Sequence, residues 1–230
     1  MRATSTLRLA TFNVQHGRNA QRVLDLDGTR RVVADLDADV VGLQEVDVHS
    51  SRSRFRNQAA VLAKAAGMAA AYAPVARWGA GGTFGNAVLV RGTIERREVV
   101  ALPTPAGLAP RTALLASVQL ASVRLSVAVT HLSVHGADAR PQLAAVAEAL
   151  AAEPAPRVLL GDLNLEWAQV DAALAGLELE LAGGGPTFPA DEPRARIDHI
   201  GAVGLAFEDV VVVRTTVSDH RPVYADVTVG

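Results

Sequence analysis

Apolar runs that end abruptly in an acid, an amide or a histidine recur along this chain, and they organise its reading. Arg157-Val158-Leu159-Leu160 follows Pro156 and runs into Gly161-Asp162-Leu163-Asn164. That pattern reads as a buried strand opening into a loop. From Glu166 to Leu174 the spacing predicts a helix with Trp167, Val170 and Leu174 on one stripe. Residues two apart on an extended backbone face the same way. Asp162 and Asn164 are therefore expected to point together out of the carboxyl end of a sheet, where α/β proteins place ligands. The alternative is that Asp-x-Asn only turns the chain and caps the next helix.

The same logic extends in both directions. Leu7 to Val14 alternates as a strand and ends in Asn13-Val14-Gln15-His16-Gly17. Arg22 to Leu36 has helical spacing, and Asp39 to Glu45 is a second buried strand ending in an acid. Strand, helix, strand implies a right-handed parallel crossover, which brings Asn13 near Glu45. Asp47 to Asn57 reads as a polar loop, Phe55 to Met68 as a helix, and Ala69 to Val75 as a strand. Trp78 to Phe84 is a glycine-rich loop ahead of a strand at Asn86–Val90, with which Ile94 to Leu102 is expected to form a hairpin. Beyond the break at Pro103 to Pro110 come two adjacent strands, Thr112 to Leu120 and Val123 to Thr130, the second running into His131. Ala137 to Ala151 is helical, with Pro141 restricting its start to that neighbourhood. A loop rich in Gly and Pro spans Ala182 to Pro193, and Ile197–Val203, Phe207–Val213 and Pro222–Val229 complete a strand-rich end. Two sheets packed face to face with helices outside would bury such strands, as one domain over residues 1–230.

Composition narrows the chemistry. Half of the 230 residues are hydrophobic, ample for one large core or two packed layers. A formal charge of −2 supplies no global field for nucleic acid, although a local basic loop remains compatible with it. With no cysteine there is no disulfide framework or thiolate site, so any metal is held by oxygen or histidine. The sequence shows neither the apolar run of a signal peptide nor a bilayer-spanning segment, and a soluble, cytoplasmic monomer with no membrane partner is expected.

Six polar clusters stand at or beside strand ends: Asn13, Glu45, His131, Asp162 with Asn164, Asp198 with His199, and Asp219 with His220. Each alone reads more readily as a turn residue or a satisfied structural histidine, and His16, His49 and His135 are read as structural. Together they are costly at the ends of apolar strands unless they meet a cation or one another. Glu, Asp and Asn oxygens without Cys suit Mg2+ or Mn2+ better than zinc.

Thr11-Phe12-Asn13-Val14, Leu43-Gln44-Glu45-Val46, Thr130-His131-Leu132, Gly161-Asp162-Leu163-Asn164, Ile197-Asp198-His199-Ile200 and Ser218-Asp219-His220-Arg221-Pro222 occur in this order. The set resembles the endonuclease/exonuclease/phosphatase superfamily of metal-dependent phosphoesterases, over Leu7 to Val229. The resemblance implies a four-layer α/β sandwich, two mixed β-sheets flanked by helices, that hydrolyses a phosphate ester with activated water and Mg2+ or Mn2+. It implies Glu45 as the main metal ligand, with Asn13 and Asp219 nearby. His220 resembles the general base or phosphate-facing histidine, oriented by Asp198, and Asp162 with Asn164 the pair that positions water and phosphoryl oxygen. His131 matches a histidine of the secreted deoxyribonuclease-like branch, placed to protonate the leaving oxygen; the abasic-site nucleases use a tyrosine there. Arg111 matches an arginine near the phosphate, and Asn86 a residue hydrogen-bonded to the leaving-group histidine, or else a strand-edge amide. Arg52, Arg54 and Arg56 read as a solvated loop or a grip on an anion, and Trp78 as a packing or base-stacking residue. A phosphodiesterase acting on a small or single-stranded substrate is the leading expectation. A DNA endonuclease or exonuclease, a phosphomonoesterase of the inositol-phosphatase or sphingomyelinase kind, and a non-catalytic binding module are the alternatives.

Overall fold

The computed structural model describes residues 6–78, 81–175 and 178–229. The residues ahead of the first strand, the middle of the glycine-rich loop at Gly79-Ala80 and the side chain of Trp78 lie outside the described residues. In chain order the elements are β1 (Thr6–Asn13), α1 (Leu26–Asp35), β2 (Val40–Val48), α2 (Gln58–Ala66), β3 (Ala69–Trp78), β4 (Gly82–Val90), β5 (Thr93–Ala101) and β6 (Thr112–Gln119). They continue with β7 (Arg124–His131), α3 (Gly136–Ala151), β8 (Arg157–Asp162), α4 (Trp167–Leu174), β9 (Glu180–Leu181), β10 (Asp198–Val203), β11 (Leu205–Val212) and β12 (Val223–Val229). Two six-stranded sheets result, in the orders β11-β12-β1-β2-β4-β3 and β5-β6-β7-β8-β10-β9.

Three apolar clusters separate four layers. Leu9, Val40 and Val88 of the first sheet meet Leu114, Val129 and Leu160 of the second between the sheets. Phe12, Leu43 and Leu89 face Val33 and Leu62 of α1 and α2 on one outside. Leu115 and Leu159 face Leu143, Val146 and Val170 of α3 and α4 on the other. Alternate residues of each strand thus feed two different cores, which is why the central strands read as continuous apolar runs. The sheets approach closely at Gly42, where an added Cβ would sit 2.7 Å from Leu160 Cβ. The chain is a four-layer α/β sandwich, and no helix among the described residues is long and apolar enough to cross a membrane.

One topological feature positions the polar strand ends. Among the described residues only β1–β2 and β7–β8 pair in parallel, one pair near the centre of each sheet. Their carboxyl ends carry Asn13, Glu45, His131 and Asp162. Facing parallel pairs bring four strand ends to one edge of the sandwich, the edge where open α/β sheets bind ligands.

The structure departs from the sequence expectations at several elements. The strand at Thr93–Ala101 does not form a hairpin with β4 but pairs with β6 in the other sheet, so the chain changes sheets at Arg91-Gly92. Helix α1 starts at Leu26 rather than Arg22: Arg22 has φ +62°, and Asp25 caps the helix by accepting the Gly28 N–H at 2.8 Å. Helix α3 starts five residues ahead of Pro141, which lies on an exposed face above an exposed Ala137, so the carbonyl without a donor meets water. Trp167 is 40 % exposed, leaving Val170 and Leu174 to bury α4.

Candidate active site

Glu45 leaves the regular strand. Its φ is +57°, and the pairing of β2 with β4 shifts register between Leu43 and Val46. A bulge with a left-handed residue re-aims one side chain at a strain cost of about 1–3 kcal/mol, and such devices concentrate at functional sites. Asn13, at the end of the neighbouring strand, holds the result: its Nδ2 donates to Asp162 Oδ2 at 3.0 Å and to Glu45 Oε1 at 3.4 Å. One amide therefore ties the first sheet to the second.

Below that bridge lies a buried cluster. Asp162 is 1 % exposed and pairs in register with Asp198, the first residue of β10. His131 Nε2 lies 3.4 Å and His220 Nε2 3.7 Å from Asp162 Oδ2. His220 Nδ1 donates to Asp198 Oδ2 at 2.9 Å, and the Phe188 ring packs on the imidazole at 4.8 Å between centroids. Burial opposes a charge on His220, but Asp198 and Asp162 outweigh it, and its pKa is pushed up to about 10. Burial pushes Asp162 up and His131 down, so His131 is neutral near pH 7. That differs from an imidazole standing ready as a resting acid: His131 offers a hydrogen bond instead.

Above the bridge the arrangement opens into a cleft of about 420 Å3 lined by Gln15, His16, Arg18, Arg22, Glu45, Arg52 and Asp219. His16 Nε2 lies 2.9 Å from Glu45 Oε2, and its Nδ1 lies 3.3 Å from Asp47 Oδ1. Arg52 grips the buried Asp47 with two hydrogen bonds of 2.7 and 2.9 Å and brings Nη2 within 2.7 Å of His16 Nδ1. Burial lowers the His16 pKa, but Asp47 and Glu45 raise it further. A second proton on Nδ1 would nevertheless set two donors 2.7 Å apart, so Nδ1 accepts from Arg52 and the proton stays on Nε2, toward Glu45. Burial acts to raise the Glu45 pKa, yet the hydrogen bonds from His16 and Asn13 help hold its carboxyl far below the usual range. Gln15 Nε2 donates to Asp219 Oδ2 at 2.7 Å, while burial and the nearby Glu45 push Asp219 up.

Thus Asn13, Glu45, His131, Asp162, Asp198 and His220 form one connected set, and Asp219 joins Glu45 in the cleft. Asn164 is not extended: φ is +49°, its N–H donates to Asp162 Oδ1 at 3.2 Å, and its side chain donates to the Leu132 carbonyl at 3.1 Å. The Asp-x-Asn turn and the site are therefore one feature, with the acid pointing in and the amide steering it. Asn86 is buried, and its Nδ2 donates to the Thr112 carbonyl at 2.9 Å rather than to a histidine. Arg111 is half-buried within electrostatic reach of Asp162 and Glu45, and burial lowers its pKa. His199 faces away, its Nε2 on the Leu165 carbonyl at 2.8 Å, and burial lowers its pKa to about 4.

In the sequence Gln15, Asp47 and Ser218 carry no functional signal of their own, Arg52 reads first as solvated, and His16 reads as structural. Ser218 Oγ donates to the Asn13 carbonyl at 2.7 Å and pins the Asp219-His220 segment to β1. The available signal was position: Gln15, His16 and Asp47 all lie within three residues of a strand-end polar group.

Asp162, Asp198 and His220 each bring one potential ligand atom within 4.8 Å of the others, a geometry able to hold a metal. A second donor set is Glu45 and Asp219 with Gln15 Oε1, a buried oxygen without a hydrogen-bond partner among the described residues.

The Endonuclease/Exonuclease/phosphatase family profile matches residues 10–220. Among solved structures, an endonuclease/exonuclease/phosphatase from Beutenbergia cavernae DSM 12333 superposes with TM-score 0.83 at 24 % identity, over 98 % of this chain and 72 % of that one. A mannosyl-6-phosphatase from Bacteroides thetaiotaomicron VPI-5482 gives TM-score 0.75 at 18 % identity, over 96 % and 99 %. D. rerio TDP2 complexed with a single-strand DNA product gives TM-score 0.75 at 18 % identity, over 97 % and 99 %. At these identities the likeness is one of fold. No curated protein matches the chain.

Proposed function

Because the chain belongs to the endonuclease/exonuclease/phosphatase family, whose members are hydrolases acting on phosphate esters, we propose that it is a Mg2+- or Mn2+-dependent phosphodiesterase, its 230 residues forming one catalytic domain. The observation that carries this reading is the bridge from Asn13 to Asp162 and Glu45, which gathers buried acid and imidazole groups from both sheets at one cleft. Glu45 and Asp219 would hold the cation, with Gln15 Oε1 as a further oxygen. Hard oxygen donors in a chain without cysteine fit such an ion. Asn13 turns its Nδ2 toward the carboxylates and so orients Glu45 rather than adding an oxygen ligand. When bound, the cation polarises the phosphoryl oxygen and offsets the charge that develops during the reaction.

The protein's own groups divide the remaining work. Asp162, held at Oδ1 by the Asn164 N–H and at Oδ2 by Asn13, takes a proton from the attacking water, and burial suits it to that task by raising its proton affinity. His220, kept protonated by Asp198, donates from Nε2 to a phosphoryl oxygen. His131 donates to the leaving oxygen, and Arg111 adds positive charge beside Asp162.

Hydrolysis of bis-p-nitrophenyl phosphate and p-nitrophenyl phosphate, each with Mg2+ and Mn2+, tests this. Faster turnover of the diester is expected, and Asp162→Asn should abolish it while leaving the melting temperature near wild type. Faster turnover of the monoester would reassign the substrate; unimpaired turnover by Asp162→Asn would remove the mechanism.

A further inference from the structure

The cleft that holds the carboxylates is also lined by two arginines that the chemistry above does not use. Arg18 and Arg22 line the same cavity of about 420 Å3 as Glu45 and Asp219. Among the described residues neither guanidinium has a carboxylate partner; Arg18 Nη1 donates only to the Arg22 carbonyl, at 3.3 Å. Arg52 and Arg8, by contrast, are paired with Asp47 and Asp226.

The loop that holds them is built rather than loose. Asn19 Oδ1 accepts from the Gln21 and Val23 N–H groups at 3.1 and 3.0 Å, and the Asn19 and Val23 backbones are bonded at 2.8 Å. Arg18 bridges to Leu24, and the Ala20 N–H donates to the Thr216 carbonyl at 2.9 Å. Inside this frame Arg22 is held at φ +62°, a conformation costing a residue with a Cβ about 1–2 kcal/mol where glycine would cost none. Strain of this kind concentrates at ligand-binding segments.

We propose that Arg18 and Arg22 form a second anion subsite, so that the natural substrate is a phosphodiester bearing another phosphate beyond the scissile one. This rests on the phosphodiesterase reading for the position of the scissile group, but the subsite itself is defined by the arginines. Guanidinium groups match phosphate oxygens in planar, paired hydrogen bonds, and a loop held rigid before binding loses little entropy on engaging them.

Calorimetry in Mg2+ tests this without turnover. One arm compares thymidine 3′,5′-bisphosphate with thymidine 5′-monophosphate; the other compares inositol 1,4-bisphosphate with inositol 1-phosphate. In wild type the second phosphate should tighten binding about tenfold or more in at least one arm, and that arm identifies the scaffold. In Arg18→Gln/Arg22→Gln the ratio should fall to about twofold or less, and Arg18→Lys/Arg22→Lys should restore part of it. A wild-type ratio near one in both arms, or a ratio unchanged in the glutamine variant, overturns the subsite. A hydrolase that fails on every ester yet shows this ratio would lose the catalytic reading and keep the subsite.

Discussion

His220 and His16 are each held between two carboxylates, one deep in the molecule and one at the cleft. His220 has Asp198 at Nδ1 and Asp162 beyond Nε2; His16 has Asp47 at Nδ1 and Glu45 at Nε2. The layouts match, but the charges do not. Among the described residues only His220 hydrogen-bonds Asp198 Oδ2, and the imidazole becomes the counter-charge of a buried acid. Asp47 already has Arg52, whose guanidinium also occupies the lone pair of His16 Nδ1. One guanidinium therefore separates a charged histidine that can face a phosphate from a neutral one that steers a carboxylate.

The largest expected effect breaks the deep half of this comparison. Asp198→Asn removes the charge that keeps His220 protonated, and turnover of a diester should fall by about 10²–10⁴, the usual range for lost acid–base help. The basic limb of the pH–rate profile should move to lower pH, because the imidazole then loses its proton earlier. An unchanged profile would mean that Asp162 alone sets the His220 charge.

A second, smaller effect is read in stability. The folded pKa of His220, about 10, lies above its unfolded value near 6.5. The folded state therefore holds the proton more tightly, and this stabilisation is complete below about pH 6.5 and lost as pH rises through about 10. Melting temperatures taken in chelator should fall across that window, corresponding to roughly a few kcal/mol. His220→Asn should flatten the decline. A wild-type curve level from pH 6.5 to 10 would show that the imidazole is not the counter-charge.

The asymmetry between the two histidines also explains what could be read beforehand. Asp198 and His220 stand in short polar motifs at the edge of apolar runs, and Asn13, Glu45, His131 and Asp162 end strands whose crossovers are implied by strand–helix–strand order. Periodicity and connection rules carry that far. His16 reaches Glu45 only because Gln15 and His16 both adopt left-handed φ, 44° and 57°, and reverse the chain. No periodicity encodes that turn, and neither residue is a glycine that would announce it. Likewise the two residues between Val90 and Thr93 look like a hairpin, yet β5 pairs in the other sheet because inter-sheet packing, not local spacing, places it.

The cleft half of the comparison makes the smallest prediction. His16 gives Glu45 a proton donor at 2.9 Å and fixes which oxygen remains for a cation. Partners of this kind, acting through a ligand rather than on substrate, typically change metal affinity by about 10–100-fold when removed. His16→Ala should therefore raise the Mg2+ concentration for half-maximal turnover by about tenfold, with kcat at saturating metal close to wild type. His16→Gln, which keeps an N–H donor within reach of Glu45, should recover most of the loss. Asp198→Asn should do the reverse, lowering kcat without moving the metal midpoint. If His16→Ala instead lowers kcat and removes a limb of the pH profile, then His16 titrates in the reaction as His220 does, and Arg52 does not fix its charge.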